Sequence, residues 1–224
     1  MEVSLQNVTP DAEKNLVEIA RVSSSRKDKT EDYAGLIRYM IKNKHWSPFE
    51  HSYMTMKIVT SKSIAIQFLR HRSFTFQEFS QRYAAVEAFE PIEMRLQAEK
   101  NRQSSTDLVG TITSNGGIVT MEKAYRVGTD QQNAVIMAAD ALKHAEDAYQ
   151  ALLDAGIAKE CARFVLPVAA QTTLYMTGAI RNWIHFLDLR DDSHAQKEAQ
   201  LIAKEIKKVF VEQFPTVSDA LGWK

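Results

Sequence analysis

Residues 67–83, QFLRHRSFTFQEFSQRY, concentrate side chains that can bind an anion. Arg70, His71 and Arg72 are consecutive, and Arg82 follows near the end of the same stretch. Arginine presents a planar fork of N–H donors that matches the oxygens of a phosphate better than the ammonium group of lysine does. The cluster follows an apolar segment predicted to be helical, so it lies at a partly buried helix end where arginines need partners. The pattern favours a phosphate-bearing ligand.

A second interpretation of this cluster is an ordinary set of surface ion pairs. Arg70, Arg72 and Arg82 could pair with Glu78 or Glu87 or remain solvated, since such pairs are common and weak. Four aromatic residues in the same stretch could stack on a flat ligand ring or pack in the core: Phe74, Phe76, Phe79 and Tyr83. Both interpretations stay open on these residues alone.

Further arginines occur in apolar surroundings elsewhere in the chain. Arg163 lies in ARFVLP, and Arg181 and Arg190 flank the segment NWIHFLDL, which also contains His185. Acidic neighbours of Arg190 could neutralise it. Taken with the first cluster, these arginines predict a site for more than one phosphate.

Several common catalytic patterns are missing from the sequence. There is no GxGxxG motif, because the doublet Gly116–Gly117 lies in a predicted loop, and there is no P-loop. The histidines lack the spacing of a zinc-binding helix, so no metal site is predicted. Cys161 could serve as a nucleophile in pyrimidine chemistry, but a lone cysteine on an apolar helical face is usually buried and inert, and this second state is the one we predict. Ser80 has no base visibly paired with it, so we expect it to donate a hydrogen bond rather than to attack.

The overall composition is that of an ordinary globular protein. The 224 residues include 28 Lys or Arg and 28 Asp or Glu, so no global positive field drives nonspecific nucleic-acid binding. The N-terminal segment does not resemble a secretory signal, and no apolar run reaches transmembrane length. With a single cysteine, these features predict a cytoplasmic protein that binds neither membrane nor nucleic acid.

The elements that must position the candidate residues follow from periodicity. Residues 1–8 and 52–60 alternate like strands. Thr9 is predicted to cap a first helix and Thr30 a second. A short helix beginning near residue 61 leads directly into the Arg70 cluster.

The middle of the chain combines a polar segment and a clear helix. Residues 97–117 contain many loop formers, which predicts a long flexible loop of the kind that often closes over an active site. Residues 129–154 carry one apolar stripe with helical spacing, and Gly156 supplies the stop.

The C-terminal part is predicted to be mainly helical. Ser193 and Gln196 form a capping box for a last long helix that Pro215 ends. Before it come a short helix, a strand and a helix over residues 159–166, 171–178 and 179–190. We therefore predict one α+β domain over residues 1–224, with a central, mostly antiparallel sheet flanked by helices and a long helical C-terminal half.

The spacing RHR-x7-S, from Arg70 to Ser80, resembles the signature of the flavin-dependent thymidylate synthases. The resemblance covers about residues 9–215. Four more blocks resemble segments of that family in the same order: WSPFEH (46–51), NRQSS (101–105), ARFVLP (162–167) and TGAIRNWIHFLDLRDDSHAQ (177–196).

This resemblance implies the reductive methylation of dUMP to dTMP. Methylenetetrahydrofolate would supply the carbon, and FAD reduced by NADPH would supply the hydride. The family also implies a homotetramer whose active sites lie between subunits. The anions bound by the arginines would then be the FAD pyrophosphate and the dUMP phosphate.

The family's motifs imply roles for individual residues. Contacts with FAD are implied for Ser47, Arg70, His71, Arg72, Glu78, Arg181 and His185. Contacts with dUMP are implied for Gln67, Arg70, Glu78, Ser80, Arg82, Arg163 and Arg190. His45 occupies the position of a family histidine that lines the site near the flavin. Two positions differ from many members: Ala179 replaces Asn, and His185 stands where others have Asn or His.

The resemblance assigns to Arg190 the catalytic role of polarising the uracil ring and favouring ionisation at N3. If the ring accepts a hydride directly, negative charge builds on N3 and the carbonyl oxygens. Losing a donor that stabilises such charge typically costs about 3–4 kcal/mol of barrier. Cys161 is then not needed as a nucleophile.

Two other hypotheses remain. One is a nucleic-acid-binding module that uses residues 67–83 as a basic strip with stacking aromatics. The other is a nucleotide-binding regulator that kept the site but lost the chemistry, for which Ala179 is the hint.

Overall fold

The structure is a computed structural model that describes residues 1–24, 33–101, 104–113, 118–121 and 128–223. The chain forms two compact units, each assembled from separate segments. The first unit comprises Met1, Val59–Phe68 and Glu78–Leu174. The second unit comprises Glu2–Ile58, Leu69–Gln77 and Tyr175–Lys224. The single domain over residues 1–224 stays a prediction.

Four strands form one sheet in the order β1 (Glu2–Val8), β2 (Tyr53–Ser61), β7 (Gln171–Ala179) and β3 (Thr75–Glu78). In β2, Met54, Met56 and Ile58 are fully buried, whereas the side chains between them are partly exposed. This alternation is the period of two that the sequence predicts for this segment, so the predicted strand is confirmed.

The helices of the second unit pack a large aromatic core. They are α1 (Ala12–Ala20), α2 (Ala34–Lys42), α6 (Ile180–Arg190), α7 (Lys197–Gln213) and α8 (Pro215–Leu221). Trp183 and Phe186 of α6 and Phe210 of α7 are fully buried. The indole Nε1 of Trp183 donates to the carbonyl oxygen of Met54 at 2.9 Å, which fixes α6 against β2.

The predicted cap at Thr9 is wrong. The hydroxyl of Thr9 accepts the backbone N–H of Tyr53 at 2.9 Å, so it ties the chain to β2 instead of capping a helix. Helix α1 begins later, at Ala12, after Asp11 in a left-handed conformation with φ of 48°. Thr30, predicted to cap the second helix, lies outside the described residues.

The predicted capping box of the last long helix is also wrong. Gln196 is the N-cap residue of α7, no side chain caps that end, and the Gln196 amide donates to Glu198 instead, at 2.9 Å. Pro215 does follow the end of α7, but it also begins α8, where a proline at the first helical position is favourable. The N–H of Val217 in α8 donates to the buried carboxylate of Glu13 at 2.7 Å.

The first unit contains an antiparallel sheet where a loop was predicted. Its strands are β4 (Ile92–Gln97), β5 (Ser105–Ile112) and β6 (Ile118–Met121), in that order. The loop prediction for residues 97–117 is therefore wrong. Polar residues dominate the segment, yet Val109 and Ile112 are buried, and pairing with β4 supplies the order that the local sequence does not reveal. Residues 102–103 and 114–117 lie outside the described part.

The α-helices described in the first unit are α3 (Lys62–Leu69, whose last residue belongs to the second unit), α4 (Thr129–Asp154) and α5 (Lys159–Ala162). Helix α4 has the predicted bounds. Its Val135 and Ala139 pack against Val109 and Ile112 of β5. Gly156 follows the helix with a φ of +77°, a left-handed conformation that glycine adopts without strain, so the predicted stop is confirmed.

The mixed α/β class with an antiparallel sheet is thus confirmed. Within the described ranges, no helix combines the length and apolar character that crossing a bilayer requires.

Candidate active site

The Arg70 cluster lies in a tight turn directly after α3. The N–H of Phe74 donates to the carbonyl of His71 at 3.1 Å, which closes the turn. The ring of Phe74 is buried and lies so close to Gly178 that a Cβ there would be 2.4 Å from its Cε1. Because Gly178 has no side chain, the ring of Phe74 can pack directly against the strand backbone and hold the turn in place.

His71 is half-buried between aromatic rings and an arginine. Its ring meets the edge of Phe186 at 5.0 Å and of Phe74 at 6.4 Å, measured between centroids. The Nε of Arg190, the last residue of α6, donates to His71 Nε2 at 3.0 Å. Burial, and then the charges of Arg190 and His185, lowers the pKa of His71 to about 4. His71 is therefore a neutral hydrogen-bond acceptor near pH 7.

Arg190 shares its surroundings with another guanidinium group. Burial, and after it the charge of Arg70, lowers the pKa of Arg190, although arginine stays protonated in proteins. Among the described residues, neither Arg70 nor Arg72 forms an ion pair with a carboxylate. Positive charges held close together in this way favour binding of an anion.

An open cavity of about 510 Å³ lies in the same unit. Two predicted site residues, Arg181 and His185, line it together with Trp46, Glu50, Ser73, Asn182, Ile184 and Asp188. Arg181 pairs with Glu50 at 2.8 Å. Burial raises the pKa of Asp188, against the opposing charges of Lys207 and His185. The cavity thus offers N–H donors, carboxylates and an indole, which suit a heteroaromatic ring with polar edges.

Six of these lining residues were not among the predicted site residues: Trp46, Glu50, Ser73, Asn182, Ile184 and Asp188. Trp46 and Glu50 lie inside the block WSPFEH, so their position in that motif was the available signal. Ser47, which was predicted, is exposed at the start of the 3₁₀ turn Ser47–Glu50. His45 is exposed as well, and its ring meets that of Tyr39 at 5.7 Å.

In the first unit, hydrogen bonds from two side chains hold the predicted site residue Glu78. Its Oε1 accepts from Lys62 Nζ at 2.8 Å and from Thr172 Oγ1 at 3.0 Å. The side chains of Lys62 and Glu78 are 24% and 21% exposed, so solvent reaches the pair but does not surround it. Lys62 and Thr172 were not predicted, because nothing in the local sequence connects them to Glu78.

Ser80 begins a turn in which its carbonyl accepts the N–H groups of Tyr83 and Ala84, both at 3.1 Å. This turn borders a second cavity of about 250 Å³. Its lining comes from two segments, Phe79 with 84–88 and 171–173. The backbone amides and hydroxyls of such a loop can bind a small polar ligand.

The two other predicted cations of the first unit, Arg82 and Arg163, are exposed and partly exposed respectively. Arg82 lies 3.8 Å from Glu160, a loose pair, and its guanidinium is 5.7 Å from the ring centre of Tyr83. Arg163 lies 5.9 Å from the ring centre of Phe164. Of the ion pairs that the surface interpretation allowed, the one between Arg82 and Glu78 is not formed, because Glu78 pairs with Lys62 and Arg82 lies beside Glu160.

Cys161 is exposed, so the prediction of a buried thiol is wrong. Helix α5 has four residues, and Ala162, not Cys161, is its buried residue. The short helix gives no apolar face on which the thiol could be buried.

The predicted residues therefore divide between the two compact units. The first unit holds Gln67, Glu78, Ser80, Arg82 and Arg163. The second unit holds Ser47, Arg70, His71, Arg72, Arg181, His185 and Arg190. Within the second, the structure brings His71 against Arg190 and places Arg181 and His185 on one cavity.

The sequence of this chain is similar to a family model and to curated proteins that carry related names. The family model described as thymidylate synthase complementing protein matches residues 4–216. A probable flavin-dependent thymidylate synthase of Paramecium bursaria Chlorella virus 1 is 41% identical over 214 residues, covering 95% of this chain and 91% of the relative. A flavin-dependent thymidylate synthase of a Synechocystis strain is 40% identical over 204 residues, covering 91% and 86%.

A solved structure is also similar. It is that of a UMP/dUMP methylase, PolB from Streptomyces cacaoi, bound with 5-Br dUMP. Its TM-score is 0.76 at 30% sequence identity, and the match covers 99% of this chain and 94% of that one.

Proposed function

This chain belongs to the thymidylate synthase complementing protein family, and we propose that it catalyses the reductive methylation of dUMP to dTMP. The carbon would come from methylenetetrahydrofolate, and NADPH would reduce a bound FAD. One observation carries this proposal. The half-buried guanidinium of Arg190 donates a hydrogen bond to the neutral His71 and lies near enough to Arg70 for the two positive charges to interact.

The residues present fit a flavin dinucleotide. The 510 Å³ cavity carries the N–H donors of Arg181, Asn182 and His185 beside the indole of Trp46. Its two carboxylates, Glu50 and Asp188, oppose one arginine, so the cavity favours the polar edge of a ring or a ribose over a pyrophosphate. The pyrophosphate then belongs with Arg70 and Arg72, which pair with no carboxylate in the described part of the chain. When bound, the reduced flavin supplies the hydride.

The full set proposed to hold the flavin follows the family motifs. It consists of Ser47, Arg70, His71, Arg72, Glu78, Arg181 and His185. Glu78 already accepts two hydrogen bonds at one oxygen, from Lys62 and Thr172, so those two residues orient the carboxylate.

The residues proposed to bind dUMP supply phosphate and base contacts. They are Gln67, Arg70, Glu78, Ser80, Arg82, Arg163 and Arg190. The turn that starts at Ser80 offers a hydroxyl beside exposed Arg82, a combination suited to phosphate oxygens. Arg190 acts on the uracil ring.

Arg190 would stabilise negative charge on N3 and the adjacent carbonyl oxygens as hydride reaches the ring. A fixed guanidinium in a half-buried site does this better than water, because its dipoles need no reorganisation. No enzyme thiolate has to add to the ring. Cys161, exposed on a four-residue helix, would take no part.

A product assay tests this function. The flavin-loaded protein is incubated with dUMP, methylenetetrahydrofolate and NADPH, and dTMP is separated by chromatography. We expect dTMP only in the complete mixture, with each single omission abolishing it. Absence of dTMP from the complete mixture, with protein that retains oxidised-flavin absorption after desalting, would reject the proposal.

A further inference from the structure

The contact between Arg190 and His71 joins two residues that are 119 positions apart in the chain. Arg190 ends α6, and His71 lies in the turn closed by Phe74. Every N–H of a guanidinium is a donor, so at 3.0 Å the Nε2 of His71 must present its lone pair to Arg190 Nε. His71 is therefore the tautomer that carries its proton on Nδ1.

The orientation of the His71 ring is fixed from the other side. Phe186 meets it edge-on at 5.0 Å with an interplanar angle of 69°, and Phe74 does so at 87°. Phe74 is in turn held by Trp183 at 4.8 Å and by the close approach to Gly178. A ring packed in this way cannot turn away from Arg190 without displacing buried aromatics.

The charge state of the histidine follows from its neighbours. Arg190 and His185 lie near it, and Arg70 lies near Arg190, so a proton on Nε2 would add a positive charge to a cationic site. That proton would also remove the acceptor for Arg190 Nε. Both effects, with burial, keep His71 neutral.

We propose that His71 is the positioning residue of Arg190, because its neutral imidazole accepts the Nε–H and so sets the direction of the guanidinium plane. This inference rests on the proposed function of Arg190. A guanidinium can present a planar acceptor with either its Nε–Nη edge or its Nη1–Nη2 edge. With Nε engaged by His71, the Nη1–Nη2 edge meets N3 and a carbonyl oxygen of uracil.

A matched pair of substitutions separates this role from a simple flavin contact. His71→Gln keeps an oxygen acceptor close to the place of Nε2, whereas His71→Leu removes it, and both remove the imidazole ring. At saturating FAD and dUMP we expect His71→Leu to lower kcat about tenfold or more, and His71→Gln to stay within about threefold of wild type. His144→Leu, at an exposed position of α4, serves as the control for substitution itself.

The energetic coupling between His71 and Arg190 is tested by measuring dUMP affinity, which does not depend on turnover. His71→Leu should weaken dUMP affinity in the wild-type background and have no further effect in an Arg190→Ala background. Equal losses in His71→Leu and His71→Gln, or additive effects on dUMP affinity, would overturn the positioning role.

The tautomer can be measured without any activity. In full-length protein labelled with ¹⁵N-histidine, the signal lost in His71→Gln should be that of a neutral ring protonated on Nδ1, and it should stay so down to pH 5. A His71 that titrates near pH 6.5, or one protonated on Nε2, contradicts the inference. If wild type forms no dTMP but the tautomer is as stated, then the proposed function fails and the hydrogen bond stands.

Discussion

At the scale of single residues, burial decides which groups carry charge. His71 and Arg190 are half-buried basic side chains in direct contact, and two positive charges there would repel each other. The lowered pKa of His71 keeps this histidine neutral, so the repulsion does not arise. The guanidinium retains its charge because its intrinsic pKa is far higher. The sequence shows both residues and their family motifs, but it cannot show that they touch.

The stability of the protein should therefore depend on pH through His71. Its pKa is about 4 in the folded protein against an ordinary 6.5, so between these values the unfolded chain binds a proton that the native state excludes. The free energy of unfolding should fall as the pH is lowered from 6.5 to 4. Because carboxylates also titrate there, the measurement is the difference between wild type and His71→Gln in urea unfolding. The unfolding free energy of wild type minus that of His71→Gln should decrease as the pH is lowered from 6.5 to 4, because glutamine does not titrate. A difference that does not change with pH would contradict the low pKa of His71.

Arg190→Ala should keep the fold and lose dTMP formation by about 10²–10³-fold, the usual effect of removing a charge-stabilising donor. The expected loss lies in kcat, with flavin still retained by absorbance. Arg38→Ala, which removes an exposed arginine paired with Asp219, is the control and should keep normal activity. Full activity of Arg190→Ala would remove this residue from the mechanism.

At the scale of elements, the turn after α3 is anchored by the contact between Phe74 and β7. Phe74 lies on Gly178 and packs its ring edge-on against Trp183 of α6. The strand, the helix and the turn are thereby held in one arrangement, and His71 is carried by that turn. A side chain added at Gly178 should therefore displace Phe74 and, through the turn, shift His71.

Gly178→Ala places a Cβ 2.4 Å from Phe74 Cε1, and one of the two must move. We expect a loss of about 1–3 kcal/mol in unfolding free energy, as for other overpacked cores, together with reduced activity. Gly35→Ala in α2, where no atom lies within 4 Å, is the matched control and should be neutral or slightly stabilising. Equal stabilities of the two variants in urea unfolding would refute this packing argument.

Elements with strong periodicity were predicted well. The bounds of α4, the alternation of β2 and the stop at Gly156 follow from local pattern. The sheet formed by β4, β5 and β6 could not be predicted from local pattern, because most residues of the segment 97–117 are polar. Hydrogen bonding between the paired strands, and not the local sequence, stabilises these segments as strands. The cap at Thr9 failed for a related reason, since its hydroxyl is used by Tyr53, 44 residues away.

At the scale of the whole molecule, the sequence motifs predicted the family, which nearly full-length similarity confirms. Geometry was harder to predict: the links from Lys62 and Thr172 to Glu78 and from Arg190 to His71 join distant segments. The zero net charge opposes the alternative of a nucleic-acid-binding module, which needs a positive field. The homotetramer, the cytoplasmic location and the nicotinamide cofactor stay predictions.

Hydride transfer from flavin to uracil without an enzyme thiolate can be followed in a single turnover of the Cys161→Ala variant. Its FAD is reduced anaerobically with NADPH, the excess is removed, and dUMP and methylenetetrahydrofolate are added. We expect oxidised-flavin absorption to return as dTMP appears in equal amount, at the rate of the wild type, since the hydride passes from flavin to uracil without an enzyme thiolate. If the folded variant keeps its flavin reduced and forms no dTMP while wild type turns over, then the thiol of Cys161 takes part in the reaction and direct hydride transfer is wrong.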